Sequence, residues 1–351
     1  MNLKNTSEKP VGVIGAGSFG TAIANLLAVN NKVYLYARRE AVVENINTQR
    51  LNAGQKIHPG VTGTGDIKKV VDECTLLFPT VPASTFRDMI KDISPFLNPS
   101  HILIHGTKGL DVNIKDWNLM EVKKPLPRNK ILTMSEIIRR ESSVIRVGCM
   151  SGPNLAKEIS ENKPAATVIA SKFEEVIKAG EKAIRSPNFQ VYQNYDITGV
   201  ELAGTLKNII AIASGVLSGL DLGENAKSLL ITKGLGEMIR LGVTLGGTRE
   251  AFLGLAGIGD VIATSTSNTS RNYTVGYRLA KGETLEHILN TSEEVAEGVQ
   301  TVRITKFLAD YYKVRTPILQ VVYKVLFENM PVKNGLKYLM TYPFHLDVDF
   351  L

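Results

Sequence analysis

Lys207 and Asn208 interrupt an otherwise apolar stretch, Glu201-Leu202-Ala203-Gly204-Thr205-Leu206-Lys207-Asn208-Ile209. A lysine inside an apolar helix is costly unless it is paired or used. Burial and nearby positive charge lower an ammonium's pKa toward the working pH, which suits a general base acting on a secondary hydroxyl. The competing reading is a lysine on the helix surface. A carboxylate partner is available in Asp260, which ends the run Gly254-Leu255-Ala256-Gly257-Ile258-Gly259-Asp260; a helix cap is its alternative role.

Four further polar islands belong to the same set. Lys108, in Gly106-Thr107-Lys108-Gly109-Leu110, follows an apolar strand at the edge where open α/β sheets bind ligands, although a solvated loop lysine reads the same way. Ser151-Gly152-Pro153-Asn154-Leu155-Ala156 also follows a strand, with Pro153 placed for the first turn of a helix and Asn154 offering an amide; a plain helix start is the alternative. Asn268-Thr269-Ser270-Arg271-Asn272 gathers a hydroxyl, a guanidinium and an amide suited to phosphate, or forms an ordinary polar loop. Val295-Ala296-Glu297-Gly298-Val299 could bring Glu297 to a cofactor.

The strongest local signal is Gly15-Ala16-Gly17-Ser18-Phe19-Gly20, a GxGxxG between an apolar strand and a helix. Gly15 can turn tightly, Gly17 admits a pyrophosphate, Gly20 permits close packing, and the helix start offers amides to the anion. Where an NAD site carries an acidic residue, this chain has Ala37-Arg38-Arg39. Two guanidinium groups suit a 2′-phosphate, so NADP(H) is favoured and NAD(H) stays possible through Glu40. Solvated charges opening the next helix are the alternative.

These residues need a scaffold. Apolar runs from Val11, at Val33 to Tyr36, Thr75 to Phe78, Ile102 to His105, Val144 to Gly148 and Thr167 to Ala170 alternate with helical stretches such as Thr85 to Phe96. This predicts an α/β, doubly wound (Rossmann-like) N-terminal domain. After about Tyr195, apolar residues recur at helical spacing, as in Val200 to Leu217 and Ala226 to Leu241, predicting an all-α C-terminal domain. The expected boundary gives residues 1–196 to the dinucleotide and 197–351 to substrate and catalysis. The Lys-rich stretch from Asp111 to Ser143, with Pro125 and Pro127, is expected to be a surface excursion.

Composition narrows the classes further. The 351 residues are 44% hydrophobic and 21% charged, ordinary for a globular protein of two domains. A charge of +7 is scattered without an aromatic-interleaved basic run, so a small anionic ligand is expected and nucleic acid is not. The absence of an apolar leader or a long uninterrupted apolar run predicts a cytoplasmic protein with no integral membrane segment. Cys74 and Cys149 read as buried thiols, and the five dispersed histidines suggest no metal site.

Taken in order, GAGSFGTA, TKGL, SGPN, ELAGTLKNI, GLAGIGD, SRN and VAEGVQT resemble the motifs of the bacterial-type NAD(P)-dependent glycerol-3-phosphate dehydrogenase family, across nearly the whole chain. The resemblance implies reversible hydride transfer between NAD(P)(H) and glycerol 3-phosphate or dihydroxyacetone phosphate, supplying glycerol 3-phosphate for phospholipid synthesis. It implies that Ser18, Phe19, Arg38, Arg39, Ala156, Arg271, Val295 and Glu297 line the dinucleotide, and that Lys108 bridges cofactor and substrate. Gly152, Asn154, Lys207, Asp260, Ser270, Arg271 and Asn272 would hold the substrate, with Lys207 as proton acceptor in oxidation. A homodimer is also implied. The stretch from Asp111 to Ser143 and the tail from Tyr342 to Leu351 depart from the family pattern.

Overall fold

Val11-Gly12-Val13-Ile14 is buried along its whole length, as a strand covered on both faces requires, and forms β1 (Val11–Ile14). The computed structural model describes residues 9–112, 125–292 and 296–343. They form two compact units, one of residues 9–107, 134–150 and 154–197, the other of residues 108–112, 125–133, 151–153, 198–292 and 296–343.

In the first unit β1 is followed by α1 (Ser18–Leu27), β2 (Val33–Tyr36), α2 (Glu40–Glu44), a hairpin of β3 (Leu51–Asn52) and β4 (Gln55–Lys56), and β5 (Val61–Thr64). Then come α3 (Ile67–Glu73), β6 (Leu76–Pro79), α4 (Ala83–Ile93) and β7 (Ile102–His105). Two short strands of the second unit, β8 (Asp111–Val112) and β9 (Ile131–Leu132), pair antiparallel before the first unit resumes. It resumes with α5 (Met134–Glu141), β10 (Arg146–Ser151), α6 (Ala156–Ser160), β11 (Ala165–Ser171), α7 (Glu174–Ile184) and β12 (Phe189–Asn194).

Eight strands make one sheet in the order β12-β11-β10-β7-β6-β1-β2-β5. The pairs β1–β2, β1–β6, β2–β5, β6–β7, β7–β10 and β11–β12 run parallel. The stretch β5-β2-β1-β6-β7-β10 is the doubly wound order, whose direction reverses between β1 and β6, where such sheets bind ligands. The expected α/β first domain is therefore present, and Val13, Ile23, Leu27, Leu35, Phe78 and Ile104 are among its buried core.

The second unit continues as helices among the described residues: α8 (Ile197–Gly219), α9 (Gly223–Thr244), α10 (Arg249–Leu253), α11 (Asp260–Thr266), α12 (Arg271–Ala280), α13 (Leu285–Thr291), α14 (Glu297–Tyr312), α15 (Pro317–Phe327) and α16 (Val332–Thr341). Among the described residues α8 alone is long and apolar enough to cross a membrane, but 94% of its apolar window is buried within the protein. It is a core helix. A Cβ on Gly276 would lie 1.8 Å from Ile212 O, and one on Gly215 would lie 1.9 Å from Tyr273 O. These two glycines let α12 lie directly on α8, which brings the polar start of α12 close to the core.

Two expectations change, and two strands are added. The stretch 111–143 is not wholly a surface excursion, because Ile131, Ile137 and Ile138 are fully buried in and around β9 and α5. Pro153 does not open a helix; α6 begins at Ala156, after Leu155. Strands β5 and β12 escaped the sequence reading because their sequences, Val-Thr-Gly-Thr and Phe-Gln-Val-Tyr-Gln-Asn, are edge strands with polar residues and no continuous apolar run.

Candidate functional site

The first unit presents the glycine turn at the end of β1. Gly15 has φ +118°, a left-handed backbone that a side chain would strain. A Cβ on Gly20 would sit 1.9 Å from Gly15 O, so only glycine lets α1 start this close to the turn. Around Gly17 a Cβ would meet nothing within 4 Å, leaving an open cradle at the helix N-terminus. These features fit a dinucleotide pyrophosphate. Phe19 is half-buried and packs on Gly106, where a Cβ would come within 2.6 Å of its ring.

Arg38 and Arg39 are exposed just beyond β2, with Arg39 preceding α2. Ala156 opens α6 and packs against the core of the first unit. Asn154 is buried, its Nδ2 donating to Ala166 O at 2.9 Å and its Oδ1 accepting from Thr167 Oγ1 at 2.8 Å. The amide read from sequence as on offer thus has one hydrogen already committed to β11.

The second unit gathers the charged residues. Lys207 is 6% exposed on α8, and its Nζ donates to Asp260 Oδ1 at 2.6 Å. Lys108 Nζ pairs with the other oxygen, Asp260 Oδ2, and donates to Gly152 O at 3.2 Å. Two ammonium groups thus share one carboxylate, leaving a net positive site suited to an anionic substrate.

The local sequence explains this convergence. Leu255-Ala256-Gly257-Ile258-Gly259 forms a π turn, and a Cβ on Gly257 would fall 1.9 Å from Phe252 O. That tight turn delivers Asp260 as the first residue of α11, itself 2% exposed. On α8, a Cβ at Gly204 would lie 2.4 Å from Ser151 Oγ and 3.7 Å from Lys108 Cδ. Gly204, one turn before Lys207, leaves room for both. Thr264, which the sequence reading missed, accepts from Lys207 Nζ and donates its one hydroxyl hydrogen to Asp260 O at 2.5 Å, with Asp260 Oδ1 3.0 Å away. Its i+4 spacing from Asp260 on α11 is the signal that was there to find.

Burial lowers the Lys207 pKa first, to about 8, with the charges of Lys108 and Arg271 adding to the fall and Asp260 opposing it. Burial alone would raise the Asp260 carboxyl, but Lys108 and Lys207 hold it below the usual carboxylate range. Arg271 is exposed at the start of α12, behind Ser270, whose Oγ accepts from Tyr273 N at 3.3 Å as the helix cap. Asn272 is buried and its Oδ1 accepts from Gly298 N at 2.9 Å, tying α12 to α14 next to Glu297, which is half-buried. Val295 lies outside the described residues.

Two family profiles match the chain: "NAD-dependent glycerol-3-phosphate dehydrogenase N-terminus" over residues 10–177 and "NAD-dependent glycerol-3-phosphate dehydrogenase C-terminus" over residues 196–337. The chain belongs to the NAD-dependent glycerol-3-phosphate dehydrogenase family. A "Glycerol-3-phosphate dehydrogenase [NAD(P)+]" of Pseudomonas aeruginosa (strain LESB58) is 38% identical over 351 residues, 99% of this chain and 98% of that protein. A relative of the same name from Teredinibacter turnerae is 38% identical over 349 residues, 98% of each. A crystal structure of glycerol-3-phosphate dehydrogenase from Coxiella burnetii aligns with TM-score 0.85 and 31% identity, covering 95% of this chain and 99% of that one. A ketopantoate reductase from Ralstonia eutropha shares the fold at TM-score 0.54 and 13% identity. The family membership agrees with the resemblance read from the ordered motifs.

Proposed function

We propose that this chain is a glycerol-3-phosphate dehydrogenase interconverting glycerol 3-phosphate and dihydroxyacetone phosphate with NAD(P)(H), with Lys207 moving the hydroxyl proton. The observation that carries this reading is the cluster of buried Lys207 and Asp260 with half-buried Lys108 in a chain of this family. A bound nicotinamide supplies the hydride acceptor or donor. In oxidation the neutral Lys207 amine takes the secondary hydroxyl proton; in reduction the ammonium returns it to the carbonyl oxygen. Asp260 fixes the position of Lys207 and, shared with Lys108, holds back only part of the positive charge, so an oxyanion forming at the substrate is stabilised.

Arg271, Ser270 and Asn272 are assigned to the phosphate, Gly152 and Asn154 to the remaining substrate contacts. Binding energy at the phosphate fixes the orientation of the reacting carbon. The dinucleotide falls to Gly15, Gly17, Ser18, Phe19, Gly20, Arg38, Arg39 and Ala156, with Lys108, Arg271, Val295 and Glu297 completing its site. Residues 1–196 serve the dinucleotide and 197–351 the substrate, with Lys108 and Gly152 folding among the latter. The two exposed guanidinium groups after β2 support NADP(H) over NAD(H). We assign the enzyme to the cytoplasm, as a homodimer; its two cysteines, Cys74 and Cys149, are buried thiols, compatible with a reducing compartment.

The test is spectrophotometric reduction of dihydroxyacetone phosphate with NADPH and NADH assayed separately. Turnover with both, and a higher kcat/KM for NADPH, is expected. No turnover with either cofactor overturns the reading.

A further inference from the structure

The β3–β4 hairpin reaches back to the glycine turn by side chains that the sequence reading did not single out. Asn52 Nδ2 donates to Ala16 O at 2.9 Å and to Thr21 Oγ1 at 2.7 Å. Thr21 Oγ1 in turn donates to Gly17 O at 2.8 Å. Gln55 Nε2 donates to Ser18 O at 2.8 Å. Three successive carbonyls of the turn, those of Ala16, Gly17 and Ser18, are thereby held by side chains.

The peptide between Ala16 and Gly17 is the important one. The amides of Ser18, Phe19 and Gly20 belong to the first turn of α1 and point out of its N-terminus through helix geometry alone. Gly17 precedes the helix, so its amide direction is not set that way. In a planar trans peptide the C=O and N–H point in opposite directions. Holding Ala16 O on Asn52 therefore turns the Gly17 N–H away from the hairpin. That N–H has no partner among the described residues, and the space above Gly17 is open.

Stability alone does not explain the hairpin. Its two-residue turn puts Ala53 at φ +47° and Gly54 at φ +72°, and a left-handed alanine is disfavoured. Gln55 is 8% exposed, and its Oε1 is buried with no partner among the described residues. An apolar side chain would avoid leaving that oxygen bare.

We propose that Asn52 is a positioning residue for the cofactor, aiming the Gly17 amide at the dinucleotide pyrophosphate, with Gln55 anchoring the hairpin on the turn at Ser18. The inference rests on reading Gly15 to Gly20 as the pyrophosphate turn. Asn52 touches no reacting atom, so its removal weakens the cofactor and spares the chemical step.

The experiment titrates NADPH and NADH into the whole protein by fluorescence and measures kcat at saturating cofactor, for Asn52→Ala, Asn52→Asp, Gln55→Ala and Gly17→Val. Asn52→Ala is expected to raise both dissociation constants about tenfold, the loss of one well-aligned bond to a charged group. Asn52→Asp, the same shape without the donor and with a negative charge, is expected to bind more weakly still, with kcat at saturation within about twofold of the parent in both cases. Gln55→Ala gives a smaller shift in the same direction and an independent answer should the Asn52 variants not fold. Gly17→Val fills the open cradle and tests the turn itself. If Gly17→Val binds cofactor normally, the pyrophosphate reading falls. If it loses the cofactor while the Asn52 and Gln55 variants bind like the parent, or lose kcat in proportion, the positioning role alone is overturned.

Discussion

Lys207 Nζ stands 2.6 Å from Asp260 Oδ1, and both side chains are buried. An ammonium so placed is set by two opposed effects. Burial, aided by Lys108 and Arg271, releases its proton toward neutral pH, and Asp260 retains it. The outcome, a pKa of about 8, leaves both protonation states accessible near physiological pH, as a group that takes a proton in one direction and returns it in the other requires.

The two directions of the reaction should therefore have opposite pH dependence. Oxidation of glycerol 3-phosphate needs neutral Lys207, so kcat is expected to rise through about 8 and level off above it. Reduction of dihydroxyacetone phosphate needs the ammonium, so kcat should fall through the same region. Profiles from pH 6 to 10 in both directions, about two units either side of that pKa, check this; flat profiles in both would remove Lys207 as the titrating group.

Lys207→Ala is expected to lower kcat by about two to four orders of magnitude, the range for loss of a general acid–base. Dinucleotide affinity, measured by fluorescence titration, should stay within about twofold, because the glycine turn lies in the other unit. Near-normal turnover in this variant would mean that another group moves the proton.

Arg271→Ala should act on substrate binding. Loss of a charge-assisted bond to phosphate predicts a KM for dihydroxyacetone phosphate raised at least about tenfold, with a smaller change in kcat. Steady-state kinetics at saturating cofactor decide it, and an unchanged KM takes Arg271 out of the phosphate site.

The double variant Arg38→Ser, Arg39→Ser tests cofactor choice. The KM for NADPH should rise about tenfold or more, while that for NADH moves little, since only NADPH carries the 2′-phosphate. An equal change for both cofactors would assign these guanidinium groups a role unrelated to that phosphate.

Gly204→Ala places a methyl 2.4 Å from Ser151 Oγ, beside the stem of Lys108. Overpacking of this kind costs about 1–3 kcal/mol and displaces what it meets. A fall in kcat/KM for the ketone substrate, measured at saturating cofactor, is the expected result. Parent-like kinetics would show that the segment around Ser151 can yield without disturbing Lys108.

Much of this was readable in the residues. β1, β2, β6 and β7 announced themselves because buried parallel strands are continuous apolar runs, and α8 and α9 because their apolar residues recur at helical spacing. β5 and β12 did not, since an edge strand needs apolar residues on fewer faces. In the site, Asp260 could be named as the partner of Lys207 because an isolated carboxylate in a glycine-rich run wants a cation. Its second partner, Lys108, and the fit of Gly204 against Ser151 depend on where distant segments cross, which spacing along the chain does not encode. Asn52 and Gln55 were invisible for the same reason: amides in a polar loop show their targets only after the hairpin has closed.

The route of the chain has a consequence for dissection. The charged cluster draws Lys108, Gly152, Lys207 and Asp260 from three stretches of the polypeptide, the first two embedded between segments of the sheet unit. A truncation beginning at residue 197 would carry Lys207 and Asp260 yet lack their second cation and its carbonyl anchor. Grafting that helical half onto another nucleotide-binding module would transplant the substrate determinants one lysine short. Chimaeras that preserve activity must import residues 108–133 and 151–153 together with the carboxyl-terminal helices.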